Sequence, residues 1–352
     1  MLNFSSNDYL GLSGHPRVVE ACIAVARSHG VGAGAAHLLS GHSTIHRALE
    51  EDLAVFLGRS RVLLFSSGYM ANLGVLSALA DRRTVIYQDR LNHASLIDGA
   101  RLAGATLRRF AHGSFPDLEA TPDRLSLVVS DGLFSMDGDL FSGLALAQRA
   151  QSAGALLMVD DAHGLGVLGA KGQGTLEVLG LNQSDVPILM GTLGKAFGVF
   201  GAFVAGDEAL IDHLIQSARP FVYSTALPPA LAGASRAALS ILREEPWRRE
   251  QLNDRIRLFR QEAARRGFPL LPSETAIQPI LIGDSRQTIR LMDRLKAEGL
   301  LVSGIRPPTV PNGTSRLRCT LTASHAESDV ERLLDGLEKV FRQEAREARA
   351  CL

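Results

Sequence analysis

The sequence predicts an α/β fold, with an open, mostly parallel sheet in a large domain and a smaller α/β domain at the C-terminus. In the first two thirds of the chain, short apolar runs that suit buried strands alternate with longer helical stretches. This is the pattern of repeated βα units. After Pro228 and Pro229 the pattern changes to long helical stretches with few apolar runs between them. The strands predicted for the large domain are residues 61–65, 85–87, 125–130, 155–160, 188–190 and 202–205.

Helices are predicted between those strands and again beyond residue 227. Those of the large domain are residues 72–80, 95–103 and 142–153. The C-terminal region has predicted helices at 230–242, 249–266, 288–298 and 327–346, and predicted strands at 277–282 and 317–322. We therefore expect an N-terminal segment at 1–45, a large domain at 46–227 and a small domain at 228–352.

Composition excludes several classes of function. The chain has 37 basic and 37 acidic residues, and this balance argues against a nucleic-acid partner, which needs a basic surface. Its three cysteines, Cys22, Cys319 and Cys351, are far apart in sequence, so we expect neither a disulfide framework nor a metal site. No apolar run approaches the ~20 residues of a membrane span. We expect a soluble, cytoplasmic protein.

The strongest local motif is G-T-L-G-K-A-F-G at residues 191–198, directly after a predicted buried strand. A lysine in this position, Lys195, is unusual for a surface charge. Desolvation lowers the pKa of an amine and favours the neutral nucleophile that a Schiff base requires. Glycines around it let a planar ligand approach the backbone. The alternative is a lysine in an ordinary loop.

A second motif, M-V-D-D-A-H-G, occupies residues 158–164 at the carboxyl end of another predicted strand. Ligands of open α/β sheets bind at this edge. Asp160 ends the apolar run, and a buried carboxylate needs a partner, such as a protonated pyridine nitrogen. His163 follows three residues later, within reach of the same ring. The alternatives are a helix N-cap for Asp160 and a structural histidine for His163.

Two weaker motifs follow other predicted strands. Residues 65–72, F-S-S-G-Y-M-A-N, combine a glycine turn with a helix start, where backbone N–H groups suit a phosphate. His93, in D-R-L-N-H-A-S-L at 89–96, could stack on an aromatic cofactor. An ordinary turn and a structural histidine are the alternatives. All four motifs should converge on one edge of the sheet, as a pocket for pyridoxal 5'-phosphate (PLP) requires.

Taken together, these motifs resemble the α-oxoamine synthases, a branch of the fold-type I PLP-dependent transferases. The resemblance extends over essentially the whole chain, from N-F-S-S-N-D-Y-L-G-L at residues 3–12 to the last helix. F-S-M-D-G-D at 134–139 is shared widely in the family. The stretch 305–325, with its double proline, is similar to the branch that condenses L-alanine with a pimeloyl thioester.

The resemblance implies roles for the residues around the cofactor ring. Lys195 would form the Schiff base and later move the α-proton. Asp160 would pair with the pyridinium nitrogen. His163 and Ser135 would lie near the phenolic oxygen of the ring, and His93 would stack on its face.

It also implies contacts at the cofactor's phosphate. Gly68 and Tyr69 would hold the cofactor near this end, and Thr192 would bind the phosphate itself. Ser224 and Thr225, in Y-S-T-A-L-P-P, would reach the phosphate in the partner subunit. Members of the family are homodimers with active sites at the interface.

Substrate contacts follow from the same resemblance. Arg318 would bind the carboxylate of the amino acid, for which a guanidinium fork is well shaped. Asn7 and Thr309 would be further contacts. The chain departs from the family's pattern in two places. About forty N-terminal residues, with an arginine implicated in acyl binding, are absent, and His37 stands where relatives often have arginine. No catalytic role is predicted for His37.

The implied reaction is a decarboxylative condensation of L-alanine with pimeloyl-CoA, or with the same acyl group on a carrier protein, in biotin biosynthesis. Two alternatives remain open. One is a sister enzyme: 2-amino-3-ketobutyrate CoA ligase, 5-aminolevulinate synthase or serine palmitoyltransferase. The other is a non-catalytic PLP-binding regulator, which the presence of Lys195, Asp160, His163 and Arg318 argues against.

Overall fold

The computed structural model describes residues 1–118 and 124–350; Cys351 lies outside them. The described chain divides into two compact units. One comprises Met1–Gly11, Ser135–Asp139 and Trp247–Leu352, and the other comprises Leu12–Phe134 and Leu140–Pro246. We call them the first and the second unit. Across the described residues, no helix is both long and apolar enough to span a membrane.

Helices and strands alternate through most of the chain. In chain order they are β1 (Leu2–Asn3), α1 (Pro16–His29), α2 (Thr44–Leu57), β2 (Arg61–Phe65), α3 (Gly68–Leu79), β3 (Val85–Asp89), α4 (Ala94–Leu102), β4 (Thr106–Phe110), β5 (Ser126–Asp131), α5 (Gly143–Ser152), β6 (Leu156–Asp160), α6 (Thr175–Val178), β7 (Ile188–Thr192), β8 (Ala202–Gly206), α7 (Glu208–Ser217), α8 (Arg219–Val222), α9 (Pro229–Glu244), α10 (Trp247–Arg265), β9 (Ile277–Gly283), α11 (Ser285–Ala297), β10 (Leu300–Leu301), β11 (Ser303–Ile305), β12 (Ser315–Thr320) and α12 (Glu327–Ala350).

The second unit is built on a seven-stranded sheet of order β2-β8-β7-β6-β5-β3-β4. β8 is antiparallel to both of its neighbours, and the other adjacent pairs are parallel. β3, β5 and β8 are buried along their whole length. Strands covered on both faces need apolar side chains on both, which explains their continuous apolar sequences. The expected mostly parallel sheet is confirmed.

The register of this sheet aligns the carboxyl ends of three central strands. Asp131 at the end of β5 pairs with Asp160 at the end of β6, and Asp160 pairs with Met190 of β7. Because these strands are parallel, side chains that follow β5, β6 and β7 emerge at one edge. That edge carries the candidate site.

The first unit has an antiparallel sheet of order β11-β12-β9 and a two-stranded parallel sheet of β1 and β10. α10, α11 and α12 belong to the same unit. The N-terminus is fixed to this unit by backbone hydrogen bonds. The N–H of Thr320 donates to the carbonyl of Phe4 at 2.7 Å, and the N–H of Leu2 donates to that of Gly299 at 2.9 Å.

Candidate active site

Lys195 lies in the loop between β7 and β8, as the motif predicts. The N–H of Gly198 donates to the carbonyl of Lys195 at 2.8 Å, which closes a tight turn. Gly198 has φ +67°, and a Cβ there would lie 2.3 Å from the backbone nitrogen of Ser13. Only glycine fits both conditions. The half-buried Lys195 Nζ lies 2.8 Å from His163 Nε2.

Asp160 ends β6 and is buried, with 6% of its surface exposed. Its Oδ2 accepts a hydrogen bond from Nδ2 of Asn72 at 2.7 Å, and its Oδ1 accepts from the N–H of Ala162 at 3.1 Å. Turns follow Asp160, and the next helix, α6, begins only at Thr175. The N-cap alternative is therefore wrong. A buried carboxylate with two donors still favours a cationic partner.

His93 is the N-cap of α4, and its ring accepts the N–H of Ser95 through Nδ1 at 3.3 Å. The hydroxyl of Ser95 lies 2.7 Å from the same nitrogen. His93 as a whole is exposed. The surrounding protein nevertheless partly desolvates the ring and lowers the pKa of His93. The charge of Asp160 acts against this shift, and that of Lys195 adds to it.

Asp131 lies beside these groups, although the sequence did not single it out. It is 4% exposed, and its Oδ2 accepts the backbone N–H of His93 at 3.0 Å. Burial raises the pKa of Asp131 well above its usual range, and the neighbouring charge of Asp160 raises it further. Asp131 therefore fixes the backbone of His93 at the start of α4.

The predicted phosphate-end residues lie at the start of α3 and the end of β7. Gly68 and Tyr69 open α3, whose N-cap is Ser67. The Tyr69 hydroxyl donates to Asp98 at 2.5 Å. The Thr192 hydroxyl donates to the carbonyl of Gly201 at 3.1 Å and accepts from the N–H of Gly194 at 3.2 Å. A helix N-terminus with hydroxyls nearby has the donors that a phosphate needs.

Ser224 and Thr225 follow α8 in the second unit. Thr225 is exposed and forms an isolated bridge with Ala36. The N–H of Ala226 donates to the carbonyl of Ala35 at 2.9 Å. This segment is therefore held to the chain before α2, with the Thr225 side chain open to solvent.

Arg318 lies on β12 in the first unit and is 5% exposed. Its guanidinium donates to the carbonyl of Ser135 at 2.7 Å, to the Thr320 hydroxyl at 2.9 Å and to Oδ1 of Asn7 at 3.2 Å. None of the described carboxylates forms a salt bridge with it. Burial raises the pKa of Tyr9, the fourth neighbour, to about 12, although the charge of Arg318 acts to lower it. A buried cation with neutral hydrogen-bond partners favours an additional, anionic partner.

Thr309 is exposed, and its backbone N–H donates to the carbonyl of Arg306 at 3.0 Å. No side-chain contact relates it to Arg318 among the residues that the structure describes. Its predicted role in substrate binding stays a prediction.

The residues of the second unit fit PLP. Lys195 supplies an amine beside His163, and Asp160 supplies a buried carboxylate at the same sheet edge. His93 is an exposed residue whose imidazole is anchored through Nδ1. The start of α3 supplies N–H donors for the phosphate. Such a set of an amine, a carboxylate and an imidazole is what a PLP site needs to hold and orient the cofactor.

Comparison with known proteins agrees with this fit. The family model described as aminotransferase class I and II matches residues 1–337. The 8-amino-7-oxononanoate synthase of Nitrosococcus oceani is 55% identical over 97% of this chain and 92% of its own length. The solved 8-amino-7-oxononanoate synthase of Francisella tularensis has a TM-score of 0.84 at 30% identity, covering 98% of this chain and 99% of that one. A serine palmitoyltransferase solved with PLP has a TM-score of 0.93 at 29% identity, covering 97% and 87%.

Fold and site together define a PLP-dependent enzyme of fold type I, as the sequence predicts. The chain belongs to the aminotransferase class I and II family and, within it, to the 8-amino-7-oxononanoate synthases. It is thus a PLP-dependent α-oxoamine synthase, an acyltransferase, and the alternative of a non-catalytic regulator is set aside.

Sequence reasoning missed three residues of this site: Asn72, Ser95 and Asp131. Asn72 and Ser95 lie inside α3 and α4 and are fully buried. Their one available signal was a polar side chain near the start of a predicted helix. Asp131 could have been found by the rule that located Asp160, because it also ends a buried strand with a carboxylate.

Proposed function

We propose that this chain catalyses the decarboxylative condensation of L-alanine with pimeloyl-CoA, or with a pimeloyl-carrier protein, to give 8-amino-7-oxononanoate for biotin biosynthesis. The observation that carries the proposal is the pairing of Lys195 and His163 at the sheet edge where Asp160 ends β6. The name of the Nitrosococcus oceani relative, 8-amino-7-oxononanoate synthase, supports the choice of substrates.

PLP, when bound, supplies an aldehyde that condenses with amines and a pyridinium ring that accepts the electron pair released at the amino acid's Cα. Asp160 would pair with the ring nitrogen and keep it protonated, because separating the two charges in a buried site is unfavourable. His93 would stack on the ring face. His163 and Ser135 would lie near the phenolic oxygen of the ring.

The phosphate end is held by a separate group of residues. Gly68 and Tyr69 would hold the cofactor near its phosphate at the start of α3, and Thr192 would contact the phosphate. Ser224 and Thr225 would reach the phosphate of the partner subunit in a homodimer. Exposure of Thr225 supports this last role, since a side chain that serves the partner must be accessible on the isolated chain.

Arg318 binds the carboxylate of L-alanine, with Asn7 and Thr309 as further contacts. Its buried guanidinium supports this role, because a substrate carboxylate would supply the counter-charge that its neutral partners do not. A charged, bidentate contact also fixes the orientation of the amino acid. The side chain of Asn7, already bonded to Arg318, orients the guanidinium.

Lys195 is the base of the reaction. Its amine accepts the proton from Cα of L-alanine, and Cα then forms a bond to the thioester carbonyl as the thiolate of CoA leaves. The carboxylate departs as carbon dioxide, and the electron pair left at Cα is reprotonated by the Lys195 ammonium. His163, 2.8 Å from Nζ, orients the amine for both transfers. We further propose that the enzyme works in the cytoplasm.

A visible absorption spectrum with product analysis tests the proposal. Purified protein with PLP should show a band near ~420 nm that L-alanine perturbs, and Lys195→Ala should lose this band. Addition of pimeloyl-CoA should release carbon dioxide and one oxononanoate product per CoA. Glycine with acetyl-CoA or succinyl-CoA, and L-serine with palmitoyl-CoA, are the matched comparisons. A response to those pairs alone would refute the substrates, and the absence of any Lys195-dependent band would refute the role of Lys195.

A further inference from the structure

A chain of hydrogen bonds joins Asp160 to His93 through two fully buried residues, Asn72 of α3 and Ser95 of α4. Nδ2 of Asn72 donates one hydrogen to Oδ2 of Asp160 at 2.7 Å and the other to Oγ of Ser95 at 2.8 Å. Oγ of Ser95 lies 2.7 Å from Nδ1 of His93. Asp160 and His93 are thereby connected, although no direct bond between them is formed.

The chemistry of each group fixes the direction of this chain. An amide NH₂ only donates, so Ser95 Oγ accepts from Asn72 and directs its own hydrogen elsewhere. The acceptor that remains for it is Nδ1 of His93. The backbone N–H of Ser95 also donates to Nδ1, at 3.3 Å. Nδ1 therefore accepts, and neutral His93 carries its proton on Nε2.

The same geometry opposes protonation of His93. A proton on Nδ1 would require Ser95 Oγ to accept from both His93 and Asn72, and its hydroxyl hydrogen would lose its acceptor. The chain therefore opposes the imidazolium, in the direction of the desolvation that lowers the pKa of His93.

Stability alone does not account for Asn72. Its Oδ1 is buried and has no hydrogen-bond partner among the described residues. An unsatisfied buried acceptor costs about 1–3 kcal/mol, whereas an apolar side chain of the same shape would avoid that cost. The opposite orientation of the amide would bring its oxygen against the carboxylate of Asp160. Both N–H groups thus serve Asp160 and Ser95 at the expense of Oδ1.

We propose that Asn72 and Ser95 are positioning residues that orient Asp160 and hold His93 as the Nε2–H tautomer, coupling the two groups that contact the cofactor ring. The proposal rests on the proposed function for the roles of Asp160 and His93. It adds that a change at Asn72, which does not touch His93, alters the protonation of His93.

Nitrogen-15 NMR of the histidines in the PLP-loaded protein tests this, with His93→Gln used to assign the signal. The unaltered protein should show His93 as the Nε2–H tautomer. Ser95→Ala and Asn72→Leu should both give a mixture of tautomers and raise the pKa of His93, and Ser95→Thr should restore the single tautomer. Ser77→Ala is the matched control, since the Ser77 hydroxyl in α3 donates to the backbone carbonyl of Leu73 instead.

PLP affinity is the second readout. Asn72→Leu removes one charge-assisted bond to Asp160 and should weaken PLP binding about tenfold, whereas Ser77→Ala should leave it unchanged. If Ser95→Ala and Asn72→Leu keep the His93 tautomer of the unaltered protein, the proposal is wrong. The NMR measurement needs no substrate, so it tests the tautomer of His93 separately from the reaction. If the proposed reaction with L-alanine is wrong, the product assay shows it, and the NMR result still holds.

Discussion

His37 makes the second unit sensitive to acid. Its ring is 8% exposed, stacks on Phe221 with centroids 4.7 Å apart, and has Nδ1 3.0 Å from Nδ1 of His42. The ring of His46 lies 5.4 Å away. Burial, together with the smaller effects of His46 and His42, lowers the pKa of His37 from 6.5 to about 3.

The sign follows from proton binding in the two states. Unfolded protein, with His37 at pKa 6.5, takes up a proton as the pH falls below that value, whereas folded protein does so only near pH 3. The contribution of neutral His37 to folding stability is therefore fully present above pH 6.5 and decreases as the pH falls towards 3. Between pH 8 and pH 5 the loss is about 2 kcal/mol for this residue, because one pKa unit corresponds to ~1.4 kcal/mol.

The assay is urea unfolding of PLP-saturated protein and of His37→Phe at both pH values. Phenylalanine keeps the stacking on Phe221 and removes the titration. Between pH 8 and pH 5, the free energy of unfolding of the variant should fall by about 2 kcal/mol less than that of the unaltered protein. Glu50 titrates in the opposite direction, since burial raises its pKa to about 8, but it is common to both proteins. His29→Asn, at an exposed histidine, is the control. Parallel pH curves for His37→Phe and the unaltered protein would refute the reasoning.

Two further outcomes follow from the site. Arg318→Lys keeps the charge but loses the fork that bonds to Ser135 and Asn7. It should raise KM for L-alanine by about 10–100-fold, with a smaller change in KM for the thioester. Equal changes in the two KM values would contradict carboxylate binding. Gly198→Ala should displace the Lys195 turn, because its Cβ would lie 2.3 Å from the Ser13 nitrogen. It should weaken PLP binding more than the control Gly113→Ala, since Gly113 has a similar φ but open space around it. Equal PLP dissociation constants for the two variants would contradict this.

The large sheet could be predicted because its strands are buried on both faces. β2 matches its predicted bounds, and β3, β5, β6, β7 and β8 begin or end within two residues of theirs. β4 was not predicted, because Thr106–Phe110 is an edge strand whose side chains are exposed or half-buried and whose sequence, T-L-R-R-F, lacks a continuous apolar run. α1 was also missed, although Pro16 at its start and Gly30 after its end are ordinary helix signals.

The site could be predicted as far as strand ends determine it. Lys195 and His93 follow predicted strands and Asp160 ends one, and parallel strands place such residues at one edge. Asn72 and Ser95 could not be predicted in this way. The hydrogen-bonded residues Ser95 and Asn72 are 23 positions apart in sequence, and Asn72 and Asp160 are 88 positions apart. Contacts of this separation depend on how helices cross the sheet, which no local pattern encodes.

The crossing itself explains why Asn72 reaches Asp160. β2 lies at one edge of the sheet, while the next strand in sequence, β3, lies beyond β8, β7, β6 and β5. α3 connects them and must therefore pass over the central strands, and it packs on β7 and β8 and against α4. A buried polar residue in α3 is thus carried across the sheet to the carboxyl end of β6, and one in α4 is brought to meet it. The order of the strands sets the hydrogen-bond chain as well as the site, so that the connection between Asp160 and His93 is a property of the topology.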